Sequence, residues 1–310
     1  MSQQQQLPDL QNQADVRGIT LDRVGVTNIK FPIRVFTDVR GNSGHSATPP
    51  TREVSATVEL FVSVPAEFKG ANLSRFMRTL NAFEYNGMSV AQLNDLLEAL
   101  RTSLGSPDAY ARFEFDYYVD RPAPVSKLSA PQAYRCAFTG ILKGDAPLVF
   151  INEVHVIAAS LCPCSRGMSL LEQLNVASDL RTDMSPEAEA ALKKSPMAKL
   201  VGMGAHNQRS RITAKVITKG NETLWLEDLI ALTEASASAP VFPILKREDE
   251  KFVTELAYNN AKFSEDITRD LQGSLEAHPL VESWSIRVTN EESIHPYDVT
   301  CTQHSKNWKY

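Results

Sequence analysis

Cys162 and Cys164 flank a single proline at the end of an apolar run, and their type and spacing could support chemistry. Pro163 fixes its own φ and biases Cys162 toward extended backbone, so we expect the two thiols to point to opposite sides. Structural zinc sites usually space their cysteines about two to four residues apart, which makes this pair a poor match for a zinc finger. The pattern favours separate roles, with one sulfur binding a metal and one lying beside a substrate. Two incidental or buried thiols remain the alternative.

Histidines and carboxylates elsewhere could complete such a site. His206 opens the polar stretch HNQRS at the mouth of a predicted strand, and His295 closes NEESIH within reach of Glu291 and Glu292. Glu250 lies in LKREDEKFVTE, which is dense in both charges. A mixed cysteine, histidine and glutamate set would suit Zn²⁺, Fe²⁺ or Mn²⁺. The spacing alone does not select Glu250, and solvated surface side chains are the alternative for each of these positions.

The composition indicates a packed protein. The 310 residues are 43% hydrophobic and 22% charged, and the net charge of −5 argues against general binding to nucleic acid. No uncharged apolar run approaches the roughly 18 residues that cross a bilayer, and the N-terminal sequence does not have the pattern of a signal peptide. We therefore expect a cytoplasmic protein with no membrane partner, a disordered Gln-rich leader over residues 1–18, and no disulfide framework among the four cysteines.

The hydrophobic periodicity predicts an α+β fold. Alternation over 31–37 and 54–65 indicates strands, helical spacing follows over 72–83 and 89–100 with Asn72 and Ser89 as caps, and strand patterns return over 110–119 and 134–142. The second half repeats this order as a pattern, without residue identity, with strands over 148–159, 209–218, 281–289 and 297–303 and helices over 224–235 and 263–278. We predict two ββααββ modules, 19–145 and 146–305, a helical insertion at about 169–204, and a tail over 306–310.

Several blocks together resemble the type IB GTP cyclohydrolase I family. They are SLCPCS (160–165), AHNQRS (205–210), LWLEDLI (224–230), LKREDEKFVTE (245–255) and NEESIH (290–295), with KGANLSRF (69–76) upstream. The resemblance runs from about residue 20 to 303. Two departures stand out: the family pattern KGTHMSRF has a histidine that this chain lacks at 71–73, and the connection between CPC and HNQRS is longer here.

The resemblance implies a tunnelling fold, in which tandem ββααββ modules pair their sheets into β-barrels, and a homotetramer with active sites at subunit interfaces. It implies conversion of GTP and water to 7,8-dihydroneopterin triphosphate and formate, the first step of tetrahydrofolate synthesis. One divalent metal per site, Mn²⁺, Fe²⁺ or Zn²⁺, would lower the pKa of the water that attacks guanine C8.

The resemblance also implies roles for individual residues. The metal ligands would be Cys164, His206 and Glu250, and the catalytic groups Cys162, His295 and Glu292. Candidate substrate-binding residues are Glu265 for the purine edge and Arg75, Arg209, Lys246 and Arg247 for the triphosphate. The alternatives are a 7-cyano-7-deazaguanine reductase on the same fold, or a metal-binding protein without catalysis.

Overall fold

The computed structural model describes residues 14–37, 50–83, 87–169, 204–220 and 224–310. Residues 1–13 of the predicted leader lie outside these ranges. So does nearly all of the predicted insertion at about 169–204. The strands are β1 Leu21–Phe36, β2 Thr51–Val64, β3 Asp108–Pro122, β4 Ser129–Lys143, β5 Val149–Leu161, β6 Asn207–Thr218, β7 Ala239–Pro240, β8 Val281–Glu291 and β9 Val299–His304. The helices are α1 Leu73–Ala82, α2 Val90–Leu104, α3 Leu226–Ser236, α4 Arg247–Asn259 and α5 Ser264–Ala277. Residues 163–169, directly after β5, are also helical.

All the described strands join one antiparallel sheet in the order β1-β2-β3-β4-β5-β6-β8-β9, and the short β7 pairs with β5. Alternate residues of β1–β6 and β8 face the helices and form the main core, in which Val58, Phe113 and Val154 are fully buried. From the helices, Leu97 and Leu271 pack into the same core. The α+β class predicted from the sequence is therefore confirmed.

The opposite face of the sheet is largely charged. Glu153 on β5 is 3% exposed and accepts from Arg112 Nη1 at 2.6 Å and from His155 Nε2 at 2.8 Å. Lys215 Nζ lies 3.4 Å from the same carboxylate. Burial raises the pKa of Glu153, but these hydrogen bonds and charges outweigh it and hold the pKa well below its usual range. The carboxylate therefore stabilises the sheet as an anion among three partners.

Most predicted elements are found, with three corrections. Helix α4 was not predicted, because its dense mixed charges hide the helical spacing of its few apolar residues. Strand β1 begins ten residues before the predicted strand, because its alternation is interrupted by register shifts between Leu21 and Val24 and between Val26 and Ile29, where Asn28 is left-handed. The Ser89 side chain caps α2 as expected, by accepting from Gln92 N–H at 3.2 Å.

The third correction concerns Asn72. It occupies the position before α1 as predicted, but its side chain makes no capping hydrogen bond to the helix backbone. Its Oδ1 accepts instead from the Ser74 hydroxyl at 2.8 Å.

Candidate active site

The two cysteines lie where β5 ends and a helical segment begins. Cys162 follows the last residue of β5, and Pro163 starts the helical residues, a position that suits proline because no intrahelical N–H is needed there. Cys162 is half-buried and Cys164, inside the first helical turn, is exposed. The change from strand to helix between them gives the two thiols different surroundings.

His206 is held against Cys162 by backbone contacts. Cys162 N–H donates to the His206 carbonyl at 3.1 Å. The Ser165 hydroxyl donates to the Cys162 carbonyl at 3.3 Å and accepts from His206 N–H, also at 3.3 Å. Two segments separated by more than forty residues in sequence thus meet at this point, and Ser165 bridges them.

A side-chain relay runs from His206 through Gln208 to Glu292. His206 Nδ1 lies 2.7 Å from Gln208 Oε1, and Gln208 Nε2 donates to Glu292 Oε1 at 2.9 Å. The carboxylate can only accept, so it turns the amide nitrogen toward itself and the amide oxygen toward the imidazole. His206 Nδ1 must then carry the proton. The other ring nitrogen, Nε2, has no hydrogen bond to any described residue, and with the proton on Nδ1 it is the nitrogen that carries the lone pair of the neutral ring.

The relay is shielded from water. The side chains of His206 and Glu292 are 15% and 9% exposed, and Gln208 is buried. Glu292 Oε2 also lies 3.8 Å from His206 Nδ1, so the carboxylate favours the protonated nitrogen both directly and through the amide. This arrangement can present Nε2 of the ring as a base or as a ligand, on a residue whose backbone is hydrogen-bonded to that of Cys162.

A cavity of about 610 Å³ opens on the charged face of the sheet, next to this end of β5 and β6. Its basic lining includes Arg135, Arg209 and Arg211, and Phe242 closes one side. The volume is within the range of small-ligand pockets. The guanidinium group of Arg209 suits a phosphorylated ligand, whereas Arg135 and Arg211 are ion-paired with Glu114 and Glu291.

The chain matches the family described as type I GTP cyclohydrolase folE2 over residues 7–301. It is 35% identical over 291 residues to a GTP cyclohydrolase FolE2 of Geobacter sulfurreducens, covering 94% of this chain and 95% of that protein. The corresponding protein of Thiobacillus denitrificans is 33% identical over 304 residues, with 98% and 96% covered. The chain belongs to the FolE2 family of type I GTP cyclohydrolases. The match shows membership of the FolE2 family, and the type IB subclass expected from the sequence stays a prediction.

Solved structures share the fold of this family member. The uricase of Arthrobacter globiformis aligns with a TM-score of 0.52 over 93% of this chain and 95% of that chain, at 6% identity. A uricase from Bacillus fastidious aligns with a TM-score of 0.50 over 94% of each chain, also at 6% identity. At such identities the likeness concerns the fold alone, and it supports the predicted tunnelling fold. The division into tandem modules stays a prediction.

The remaining predicted catalytic and base-binding residues lie on the surface of this family member. His295 is exposed and stacks on Tyr297, with ring centroids 5.0 Å apart. Glu265 is exposed in the first turn of α5 and accepts from the Ser264 hydroxyl at 2.9 Å. Among the described residues, neither is hydrogen-bonded to the relay, so their roles remain predictions.

The predicted triphosphate-binding residues have mixed surroundings. Arg209 is exposed and lines the cavity. Lys246 and Arg247 are exposed at the start of α4. Arg75 is half-buried and donates from Nη1 to the Ser103 carbonyl at 2.8 Å, which ties α1 to the end of α2. Arg75 therefore has a structural contact that the sequence did not suggest.

The predicted metal ligands do not form a compact set. Among the described residues, no three His, Cys, Asp or Glu side chains lie close enough together to hold a metal ion. Cys164 is exposed after β5, His206 belongs to the relay, and Glu250 is exposed in the first turn of α4. The donor types suit a divalent transition metal, but the described residues of one chain do not bring three of them together.

Three residues near the site were missed by sequence reasoning. Ser165 and Gln208 belong to motifs that were recognised, and Gln208 is two residues beyond His206 on a strand, a spacing that puts both side chains on one face. Asp249, next to Glu250, is completely buried. Burial raises its pKa, but four hydrogen bonds outweigh this and hold the pKa of Asp249 well below its usual range. A buried aspartate in a charged stretch gives no sequence signal.

Proposed function

We propose that this protein is a GTP cyclohydrolase I, of the type IB subclass, which converts GTP and water to 7,8-dihydroneopterin triphosphate and formate. The observation that carries the proposal is the shielded His206–Gln208–Glu292 relay beside Cys162 in a chain of this family. The reaction moves several protons as the purine ring opens and closes again, and it needs a group that can accept and return them near neutral pH. A neutral imidazole with a fixed tautomer suits that task.

In this proposal each nearby residue has a distinct role. His206 Nε2 faces the reacting purine or a metal ligand position, Glu292 fixes the imidazole through Gln208, and the Cys162 thiol lies against the substrate. Arg209 in the cavity binds phosphate oxygens, with Lys246 and Arg247 at the start of α4. His295 transfers a proton, and Glu265 holds the N–H edge of the base. Support for Arg209 comes from its place in the cavity, whereas the roles of His295 and Glu265 rest on the family resemblance.

A divalent metal, Mn²⁺, Fe²⁺ or Zn²⁺, is also part of the proposal, with Cys164, His206 and Glu250 as its ligands. When bound, it would lower the pKa of the attacking water. The described residues of one chain do not by themselves bring the three ligands together.

We further propose that the chain works in the cytoplasm as a homotetramer with sites at subunit interfaces, and that it has no nucleic-acid or membrane partner. The sheet supports assembly because β1 and β9 end it, each paired on one side only among the described strands. In the ranges that the structure covers, no helix has the length and apolarity to span a bilayer.

The test uses metal-stripped full-length protein under anaerobic conditions with GTP, adding Mn²⁺, Fe²⁺ and Zn²⁺ separately. We expect metal-dependent release of formate together with a product that oxidises to a fluorescent neopterin. Cys162→Ser should abolish both signals, whereas Cys301→Ser, at another half-buried cysteine on β9, should retain them. Failure to release formate with any metal would refute the cyclohydrolase, and consumption of NADPH with a deazapurine nitrile would favour the reductase. Light scattering on the same sample measures the oligomeric state.

A further inference from the structure

The β3–β4 turn, residues 123–128, docks onto the start of α4 through one buried carboxylate. Asp249 Oδ1 accepts from the backbone N–H groups of Val125 and Ser126, each at 2.8 Å. Asp249 Oδ2 accepts from the Ser126 hydroxyl at 2.6 Å and from Lys246 N–H at 2.9 Å. The side chain is 0% exposed and uses both oxygens twice. It therefore joins two segments that are more than 120 residues apart in sequence.

The same hairpin contacts the segment that leads into α4. Arg121, at the end of β3, pairs with Glu234 on α3 at 2.6 Å. The Arg121 guanidinium also lies over the Phe242 ring, 5.6 Å from its centroid. The hairpin therefore contacts three successive points: Glu234 near the end of α3, Phe242 in the connection, and Asp249 in the first turn of α4.

We propose that Asp249 is a positioning residue, which places Lys246, Arg247 and Glu250 by tying the first turn of α4 to the β3–β4 turn. The inference rests on the proposed function, because these three residues are the expected triphosphate and metal contacts. Glu250 N–H donates to the Lys246 carbonyl at 2.9 Å, so the turn that carries all three residues is fixed by the same cap. Asp249 itself is fully buried, so it acts through the turn that it holds and not by direct contact with a ligand.

Three substitutions separate the contacts of Asp249. Asp249→Asn keeps an oxygen for the Val125 and Ser126 amides, but its NH₂ group faces Lys246 N–H, so donor meets donor and the helix cap is lost. Asp249→Ala removes all four hydrogen bonds. Ser126→Ala removes only the hydroxyl contact and leaves the backbone bonds. The expected order of effects is Asp249→Ala, then Asp249→Asn, then Ser126→Ala.

The start of α5 offers a matched control. Asp266 occupies the same third position of its helix and accepts from Phe263 N–H at 3.0 Å. It is partly exposed and has no described contact with the β3–β4 turn. Asp266→Asn therefore removes a comparable helix cap without touching the connection between the hairpin and α4.

The experiment combines hydrogen–deuterium exchange on full-length protein with steady-state kinetics on GTP. With Asp249→Asn, we expect exchange at the Lys246 and Glu250 amides to rise about tenfold, and with Asp249→Ala we expect a similar rise also at Val125 and Ser126. Asp266→Asn should leave all four amides unchanged. The KM for GTP should rise by a similar factor in both Asp249 variants, while Ser126→Ala stays within about threefold of wild type.

Two results would overturn the inference. If Asp249→Ala leaves exchange at these four amides at the wild-type level, Asp249 does not hold the two segments together. If exchange rises but KM and kcat are unchanged, the contact is structural only and does not position the site. If wild-type protein releases no formate, the proposed function is refuted instead. Hydrogen exchange would still show whether Asp249 joins the two segments, because it does not depend on activity.

Discussion

Replacing Gln208 by methionine should uncouple His206 from Glu292 while keeping the volume of the side chain. In wild type, Gln208 Oε1 faces His206 Nδ1 at 2.7 Å and Gln208 Nε2 donates to Glu292 at 2.9 Å. The thioether of methionine cannot donate a hydrogen bond and accepts only weakly. The imidazole then loses the shorter of the two contacts that favour a proton on Nδ1, and Glu292 Oε2 at 3.8 Å is the one that stays. Ser293 Oγ, 3.5 Å from Nδ1, is too far away to replace it.

The size of the effect follows from the geometry of the relay. Removing a group that orients a functional histidine typically costs about 10- to 100-fold in activity, which corresponds to about 1.4–2.8 kcal/mol. The buried Glu292 also loses a donor, and an unsatisfied buried acceptor costs about 1–3 kcal/mol of folding stability. We therefore expect kcat/KM for GTP to fall by about 10- to 100-fold and the protein to become less stable by about 1–2 kcal/mol.

Because Gln208→Met should also lower the free energy of unfolding, a control variant on the same strand is needed. Ser210 lies two residues further along β6, is fully buried, and donates to Asn290 Oδ1 at 2.6 Å. Ser210→Ala removes a buried contact between β6 and β8 of similar strength, but it does not touch His206. Formate release and urea unfolding are measured for both variants. Activity of Gln208→Met within twofold of wild type, or an equal loss in Ser210→Ala, would refute the assignment of Gln208 as the group that fixes the imidazole.

Three further predictions concern the scaffold and are checked by urea unfolding. Glu153→Gln should destabilise the protein by about 2 kcal/mol at pH 7, and because the pKa of Glu153 is lowered in the fold, the difference should shrink as the pH falls below about 4; an equal loss at all pH values would contradict this. Gly25→Ala should cost about 3 kcal/mol, since the new Cβ would lie 1.8 Å from the Leu60 carbonyl oxygen, and a mild effect would mean that β1 can shift. Ser89→Ala should cost about 1 kcal/mol through loss of the cap on Gln92 N–H.

The strands and most helices could be predicted because their patterns are dictated by one buried face. Phe113 and Phe115 on β3 alternate with charged residues, and Leu93, Leu97 and Leu100 on α2 recur at helical spacing. Helix α4 could not be predicted in this way, since only Asp249 and Ala257 are buried along it. Its stability comes from its capped first turn and from tertiary contacts, which leave no periodic apolar signal.

Part of the candidate site could also be predicted from the sequence, and part could not. The motifs supplied Cys162, His206 and Glu292, and the structure brings these residues to one place through Gln208 and Ser165. They meet because β5, β6 and β8 are neighbours in the sheet, a pairing that no short motif contains. The sequence could therefore name the chemical groups, but not the hydrogen bonds that decide which nitrogen of His206 is free.

The positions of Lys246, Arg247 and Glu250 depend on contacts of another kind. They lie on a helix that buries little apolar surface, so packing against the core fixes the first turn of α4 only weakly. A buried carboxylate with four hydrogen bonds can compensate, because each bond that breaks removes one of the two donors that a charged oxygen has inside the protein. The first half of the chain thereby sets the geometry of residues that belong to the second half. A substitution in the β3–β4 turn that breaks the backbone hydrogen bonds to Asp249 should consequently raise the KM for GTP in steady-state kinetics.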